Sequence, residues 1–109
     1  MEIKITTQDN LQIVAIEGDI DSSVASDVTE KIVPLATENA QVILEMTAVE
    51  YMSSAGLRTL LSMHRQATNN SAKLILVGLS EDIKDTMSVT GFLDFFTTAD
   101  SLEEAQKLL

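Results

Sequence analysis

The chain has 109 residues, of which 45% are hydrophobic and 22% charged, and its formal net charge at pH 7 is −10. Its length fits a single domain, residues 1–109, and its acidity argues against nucleic acid as a partner, because phosphate backbones bind surfaces rich in lysine and arginine. The absence of cysteine excludes disulfides, thiolate nucleophiles and zinc fingers. The apolar runs are far too short for membrane insertion and the first residues lack the layout of a signal peptide, so we expect a cytoplasmic protein.

Two strands joined by a hairpin are predicted at the start of the chain. Ile3 and Ile5 alternate with polar residues, and the alternation resumes at Leu11 after a turn-forming segment, residues 8–10. A helix is expected to follow, since apolar residues then recur at helical spacing, and Pro34 should kink or end it. The predicted buried face of this helix consists of Val24, Val28, Ile32 and Leu35.

The middle of the chain alternates strands with helices. Residues 42–46 and 74–77 are almost wholly apolar, which is typical of strands that are covered on both faces. Between these strands, a helix is predicted from Ser54 to about Ala67. Its apolar stripe consists of Leu57, Leu60, Leu61 and His64.

Two further helices are predicted in the last third of the chain. One opens at Ser80, stops at Gly91 and buries Ile83, Met87 and Val89. Residues 95–97 indicate a short strand, and Ser101 should cap the final helix. The expected fold class is therefore α/β, with a mixed sheet of four to five strands covered by about four helices.

The segment YMSSAGLRTLL, residues 51–61, connects the first buried strand to the following helix. Ser53 is predicted as the N-cap, because its hydroxyl can accept a hydrogen bond from a free amide of the first turn. Ser54 then occupies the first helical position, and Gly56 falls near the third. A glycine there costs about 1 kcal/mol relative to alanine. Its presence indicates that something uses the missing side chain, such as another protein that approaches closely.

This segment resembles the phosphorylation site of the STAS domain, the fold of bacterial anti-sigma factor antagonists. The family motif is typically hydrophobic-Met-Asp-Ser-Ser/Thr-Gly-Leu. The resemblance extends over nearly the whole chain, including EGDID at residues 17–21 and TGFLDFF at residues 90–96. When the motif is aligned on Gly56, the family's phosphoacceptor serine falls on Ser54.

Two positions depart from the family motif. Ser53 stands where the family usually has aspartate, so a carboxylate that could align the acceptor hydroxyl is missing. Ala55 stands where a serine or threonine is usual, so only one acceptor is expected. In the family, the loop that corresponds to residues 17–21 lies beside the phosphoacceptor and contacts the partner. The resemblance therefore implies a partner-binding surface of Asp21, Ser22, Ser53, Ala55, Gly56 and Arg58.

The resemblance also implies a regulatory cycle called partner switching. The dephosphorylated protein binds a GHKL-type serine kinase that also serves as an anti-sigma factor, and thereby frees the other client of that kinase. The kinase then phosphorylates Ser54 with ATP and releases the protein. A PPM-type serine phosphatase resets the switch. The implied role is in the regulation of bacterial transcription, with no catalysis by the chain itself.

The acidic residues are unevenly distributed. None of the 17 lies within residues 51–80, whereas Arg58, His64, Arg65 and Lys73 do. The helix after Ser53 is therefore neutral to basic on an otherwise acidic protein. Two explanations remain open: the helix is mostly packed against the protein, or it presents a surface to a partner.

The sequence offers no recognisable catalytic or metal centre. His64, the only histidine, lies ten residues after Ser54 on the same predicted helix, about 15 Å away along the axis, so the two cannot act as nucleophile and base. We expect His64 to be half-buried at the helix edge. Glu17, Asp19 and Asp21 admit two interpretations, capping of the first helix or metal binding, and capping is favoured. No cofactor is expected, because phosphate-binding and metal-binding motifs are absent.

Two alternative functions remain open. The chain could be a STAS docking subunit of a transporter-associated or sensory complex that is never phosphorylated, and the residues at positions 53 and 55 favour this slightly. It could also be a small acidic enzyme, although no usable nucleophile and base pair supports that interpretation.

Overall fold

The chain begins with the predicted hairpin, and the structure, a computed structural model, describes residues 1–109. Strands β1 (Glu2–Gln8) and β2 (Leu11–Glu17) pair antiparallel across a turn at Asp9 and Asn10. Asp9 has a φ of 54°, a left-handed conformation that the short polar side chain of aspartate tolerates in turns. The hairpin prediction is therefore confirmed.

After the hairpin, helices alternate with parallel strands. Helices α1 (Ala25–Ile32), α2 (Ser54–Asn69) and α3 (Glu81–Val89) alternate with strands β3 (Gln41–Ala48), β4 (Lys73–Val77) and β5 (Thr97–Ala99), before a final helix α4 (Leu102–Lys107). The strands lie in the order β1-β2-β3-β4-β5, and every pair after the hairpin is parallel. This confirms the predicted mixed sheet with four helices. None of these helices combines the length and hydropathy that a bilayer span requires.

Side-chain alternation along β3 explains why that strand is almost wholly apolar. Val42, Leu44 and Met46 face a large core under α1, α2 and α3, whereas Ile43 faces the other side of the sheet. There it packs with Ile75, Val77 and Ala105 of α4. As the middle strand of five, β3 is covered on both faces, which is the position predicted from its sequence.

The buried face of α2 differs from the prediction. Thr59 and Met63, which were not assigned to the apolar stripe, are buried, whereas Leu61 is only half-buried. The Thr59 hydroxyl is 2.8 Å from that of Thr29, and this hydrogen bond joins α2 to α1. Thr59 was predicted to lie outside the apolar stripe because its side chain is polar. The hydrogen bond to Thr29 offsets the cost of burying its hydroxyl group. The predicted half-buried position of His64 is confirmed, with its ring 5.7 Å from that of Phe95.

Near the ends of three predicted elements, the structure confirms one expectation and corrects two. Pro34 does end α1, which stops at Ile32 and continues as one 3-10 turn, Val33–Leu35. The burial of Val89 was predicted wrongly, because its side chain is 87% exposed at the last residue of α3. The strand expected at residues 95–97 begins only at Thr97, since the preceding residues form a second 3-10 turn.

Candidate functional site

The candidate site lies at the carboxyl ends of the neighbouring parallel strands β2 and β3. Glu17 at the end of β2 pairs with Ala48 at the end of β3, so the loops that follow leave the sheet side by side. Open sheets with parallel strands commonly bind ligands beyond this edge. Here the β2–α1 loop, residues 18–24, carries Asp21, and the β3–α2 loop, residues 49–53, leads into Ser54.

Backbone hydrogen bonds join the two loops. The amide of Ile20 donates to the carbonyl oxygen of Tyr51 at 3.0 Å, and the amide of Ser53 donates to that of Ile20 at 2.9 Å. These bonds form an isolated parallel bridge between Ile20 and Met52. The resemblance implied that the loops around residues 21 and 54 lie side by side. In the structure, this short parallel bridge holds the two loops together.

The two serines at the start of α2 have different environments. Ser53 is half-buried and is the N-cap, as predicted, with its Oγ accepting from the Gly56 amide and donating to the Ile20 carbonyl, both at 3.3 Å. Ser54 is the first helical residue and is exposed, and no hydrogen bond involves its hydroxyl. Of the two hydroxyls, only that of Ser54 is free to react without loss of a helix cap.

The structure gives Gly56 a different role from the predicted close approach by another protein. Gly56 is the third residue of α2, as expected, but it is buried, and atoms of the same chain occupy the space that a side chain would take. An added Cβ would contact the Met52 side chain and lie 2.7 Å from the carbonyl oxygen of Ile20. The glycine therefore allows α2 to approach the β2–α1 loop. Close approach by another protein is not needed to explain it, whereas Ala55 beside it is half-buried and reaches the surface.

Asp21 stabilises the turn that precedes α1 rather than the helix end itself. Its Oδ1 accepts from the Ser23 hydroxyl at 2.5 Å and from the Ser23 amide at 2.9 Å. The cap position of α1 is Val24, which has no side-chain hydrogen bond. Capping by the carboxylate was therefore predicted about one turn too early in the chain. Nowhere in the chain do three histidine, aspartate or glutamate side chains come together as metal ligands.

The hydrogen bonds at Asp21 predict a pH dependence. The Ser23 hydroxyl, and next the Ser23 amide, hold the pKa of this carboxyl below its ordinary value of 3.8. A lowered pKa in the folded state means that the carboxylate stabilises the fold above pH 3.8, and that this stabilisation is lost as the pH falls through the folded pKa. In Ser23→Ala we expect the pKa of Asp21 to rise towards its ordinary value, measured by carbon-13 NMR titration. Ser22→Ala is the control, and equal titration curves in both variants would contradict the assignment.

Arg58 lies one helical turn after Ser54 and is exposed. Neither its guanidinium nor that of Arg65, two turns further along α2, takes part in either of the two ion pairs of the chain. The predicted neutral-to-basic character of this helix therefore occurs at its surface. Because no acidic residue lies within residues 51–80, no carboxylate on this segment balances the two arginines.

Two shallow grooves flank the start of α2. One, of about 310 Å³, lies between α1 and α2, includes Ser22 and Arg58 and is lined mainly by hydroxyls and small side chains. The other, of about 260 Å³, lies between α2 and α3 and includes Ser53 and Ser54. Ser54 therefore stands on the rim of a groove, where a partner that docks over the first turn of α2 would meet it.

Sequence reasoning missed several residues around these grooves. Tyr51 is 54% exposed and lines the same groove as Ser54, and its place in the quoted motif could have drawn attention to it. Asp82 and Thr86 of α3 line the same groove. No local pattern could have indicated them, because the sheet brings α3 beside α2 from thirty residues away in sequence.

Comparison with known proteins shows which family the chain belongs to. The sequence profile described as "STAS domain" matches residues 2–105 of the chain. The chain belongs to the STAS domain family. This STAS domain has the predicted mixed sheet, and Ser54 lies at an exposed helix start.

Relatives of this STAS domain are named as anti-sigma factor antagonists. BtrV of Bordetella bronchiseptica, a candidate anti-sigma factor antagonist, is 26% identical over 106 residues, which cover 96% of this chain and 91% of BtrV. The anti-sigma-B factor antagonist of Staphylococcus aureus is 24% identical over 104 residues, which cover 94% of this chain and 96% of that protein. Antagonism of an anti-sigma factor is a regulatory binding role rather than catalysis.

A solved structure shows the same fold. SpoIIAA, a Bacillus cell fate determinant solved in its phosphorylated form, superposes with a TM-score of 0.75 at 15% identity. The superposition covers 99% of this STAS domain and 100% of that chain. At this identity the similarity supports the fold alone.

Proposed function

We propose that the whole chain, residues 1–109, acts as one STAS domain that antagonises an anti-sigma factor by partner switching in the cytoplasm. In its dephosphorylated form it binds a GHKL-type serine kinase that is also the anti-sigma factor, and this binding frees the kinase's client. The kinase transfers the γ-phosphoryl group of ATP to Ser54 Oγ and leaves ADP, and the chain is released. A PPM-type phosphatase then hydrolyses the phosphoserine and resets the cycle.

One observation carries this proposal: the Ser54 hydroxyl is exposed and has no hydrogen bond, whereas that of Ser53 is used twice. Loss of the Ser54 proton to a base of the kinase therefore breaks no bond within the chain. The acceptor stands on the first turn of α2, where a phosphate is compatible with the positive end of the helix dipole. The modified chain need not unfold.

The charge of the phosphate explains release. Phosphorylation adds about −1.5 to −2 charges at neutral pH, and it does so within the one long segment that has no acidic residue, residues 51–80. A partner that closes over Ala55 and Arg58 would have to bury this charge without a counter-ion of its own. The penalty is on the order of several kcal/mol, which suffices to separate the two proteins without a change of fold.

The direct test is phosphorylation by candidate kinases in the presence of ATP, with site mapping by mass spectrometry. Ser53→Ala and Ser54→Ala are compared in parallel. We expect Ser53→Ala to remain a substrate although it loses a helix cap, which costs about 1 kcal/mol, and Ser54→Ala to accept no phosphate. Transfer that disappears only in Ser53→Ala would move the acceptor by one residue and refute the assignment.

The non-phosphorylated docking subunit remains the second candidate function, because Ser53 replaces the family's aspartate and leaves the acceptor without a neighbouring carboxylate. In that case the same surface binds a permanent partner in a transporter-associated or sensory complex. The intact mass of the protein purified from its own cells distinguishes the two functions. A subpopulation heavier by one phosphate supports partner switching, and its absence under all growth conditions supports the docking subunit.

A further inference from the structure

Ser54 and Arg58 lie four residues apart on α2, and both are exposed. Residues at this spacing share a face of the helix, and helical side chains lean towards the N-terminus. The side chain of Arg58 lines the groove between α1 and α2 and that of Ser54 the groove between α2 and α3, so a rotamer change of Arg58 is enough to bring its guanidinium over the first turn. An anion that precedes a cation by four residues has the orientation that stabilises a helix most.

Arg58 has no partner within the chain. The two ion pairs join Lys84 to Asp100 and Lys107 to Glu103, and no side-chain hydrogen bond involves a guanidinium group. Five of the seven basic residues of the chain, Arg58 among them, take part in neither ion pair. The guanidinium of Arg58, four residues after Ser54, is thus free to take an anion that arrives later.

We propose that Arg58 binds the phosphate of phosphorylated Ser54 within the same chain. The inference rests on the proposed function, because it requires that Ser54 is the acceptor. The planar guanidinium presents parallel N–H donors that match two phosphate oxygens, and such charge-assisted pairs are stronger and more directional than those of lysine. The phosphate is then held against α2. Arg58, one of the predicted partner-binding residues, is engaged by a group of its own chain.

This pairing adds a second effect of phosphorylation on the partner. In the free chain, Arg58 offers a positive charge to any group that docks over the first two turns of α2. In the phosphorylated chain, the same guanidinium is engaged by the phosphate. The partner therefore meets a new negative charge and at the same time loses access to a positive one.

Arg65 provides a matched control. It is the other exposed arginine of α2 and also has no ion pair. It lies eleven residues after Ser54, about 16 Å along the helix axis, which is beyond the reach of a direct contact. Substitution of either arginine by glutamine keeps the helix propensity and removes one charge.

The experiment measures the coupling between the phosphate and each arginine. Phosphoserine is incorporated at position 54 during translation, and melting temperatures are compared with and without it in the original chain, in Arg58→Gln and in Arg65→Gln. We expect Arg58→Gln to lower the melting temperature by about 3 °C more in the phosphorylated chain than in the unphosphorylated one. For Arg65→Gln the two decreases should agree within about 1 °C.

A second measurement reports on the phosphate directly. In a phosphorus-31 NMR titration, Arg58→Gln should raise the pH midpoint of the second phosphate ionisation by about half a pH unit, because the neighbouring cation favours the dianion. Arg65→Gln should leave the midpoint unchanged. If both variants give the same midpoint and the same melting behaviour as each other, the pairing is refuted. Since no kinase is used to install the phosphate, this outcome is separate from any failure of the kinase to modify Ser54.

Discussion

Ser54→Glu is expected to weaken binding to the serine kinase by roughly 100-fold or more, because a charge that is buried at an interface without a counter-ion from the partner costs several kcal/mol. The melting temperature should change by no more than about 3 °C, since Ser54 is exposed and makes no hydrogen bond. Ser54→Ala should bind like the original chain. Calorimetric titration of the kinase with each variant measures the effect.

The control for this prediction is a glutamate placed elsewhere. Thr37 is exposed and precedes β3, whereas Ser54 follows it, so the two residues lie at opposite ends of that strand. Thr37→Glu adds the same charge to an already acidic chain and should leave kinase binding within about threefold of the original. Equal affinity of Ser54→Glu and the original chain would remove the basis of the charge mechanism.

Gly56→Ala is expected to destabilise the chain by about 2 kcal/mol, even though alanine is the better helix former. The added methyl group would lie 2.7 Å from the Ile20 carbonyl oxygen, which already accepts a hydrogen bond from the Ser53 amide. The Met52 side chain can move aside, but the carbonyl cannot do so without loss of the bond between the two loops. Urea denaturation followed by circular dichroism measures the loss.

A second glycine supplies the comparison. Gly91 has no atom within 4 Å of an added Cβ, and its φ of 80° is the only reason for glycine there. Gly91→Ala should therefore cost about 1 kcal/mol from backbone strain alone. If Gly56→Ala costs no more than Gly91→Ala, tight packing against Ile20 is not the reason for Gly56.

Local patterns were sufficient for the elements that determine the fold. The alternation around Ile3 and Leu11 predicted the hairpin, and the apolar run at residues 42–46 predicted a central strand, because each pattern reports directly on the number of covered faces. The N-cap role of Ser53 also followed from local chemistry. These are properties that one segment of the chain determines by itself.

Features that depend on contacts between distant segments could not be predicted. Thr59 is buried only because Thr29 of another helix supplies a hydrogen bond, and the reason for Gly56 is the backbone of Ile20, 36 residues earlier. The second hydrogen bond of the Ser53 hydroxyl, to the Ile20 carbonyl, likewise appears only once the β2–α1 loop is in place. The motif located the site and distinguished its two serines, but the contacts that join the site to the β2–α1 loop required the fold.

The backbone bridge between Ile20 and Met52 has a consequence for how enzymes recognise this protein. Since both loops are fixed to each other, we expect attachment of a phosphate to leave the outline of the main chain unaltered. Under the proposed cycle, the enzyme that adds the phosphate and the enzyme that removes it meet one common template. The kinase prefers the serine and the phosphatase the phosphoserine, so these preferences must come from the charges that line their own binding pockets.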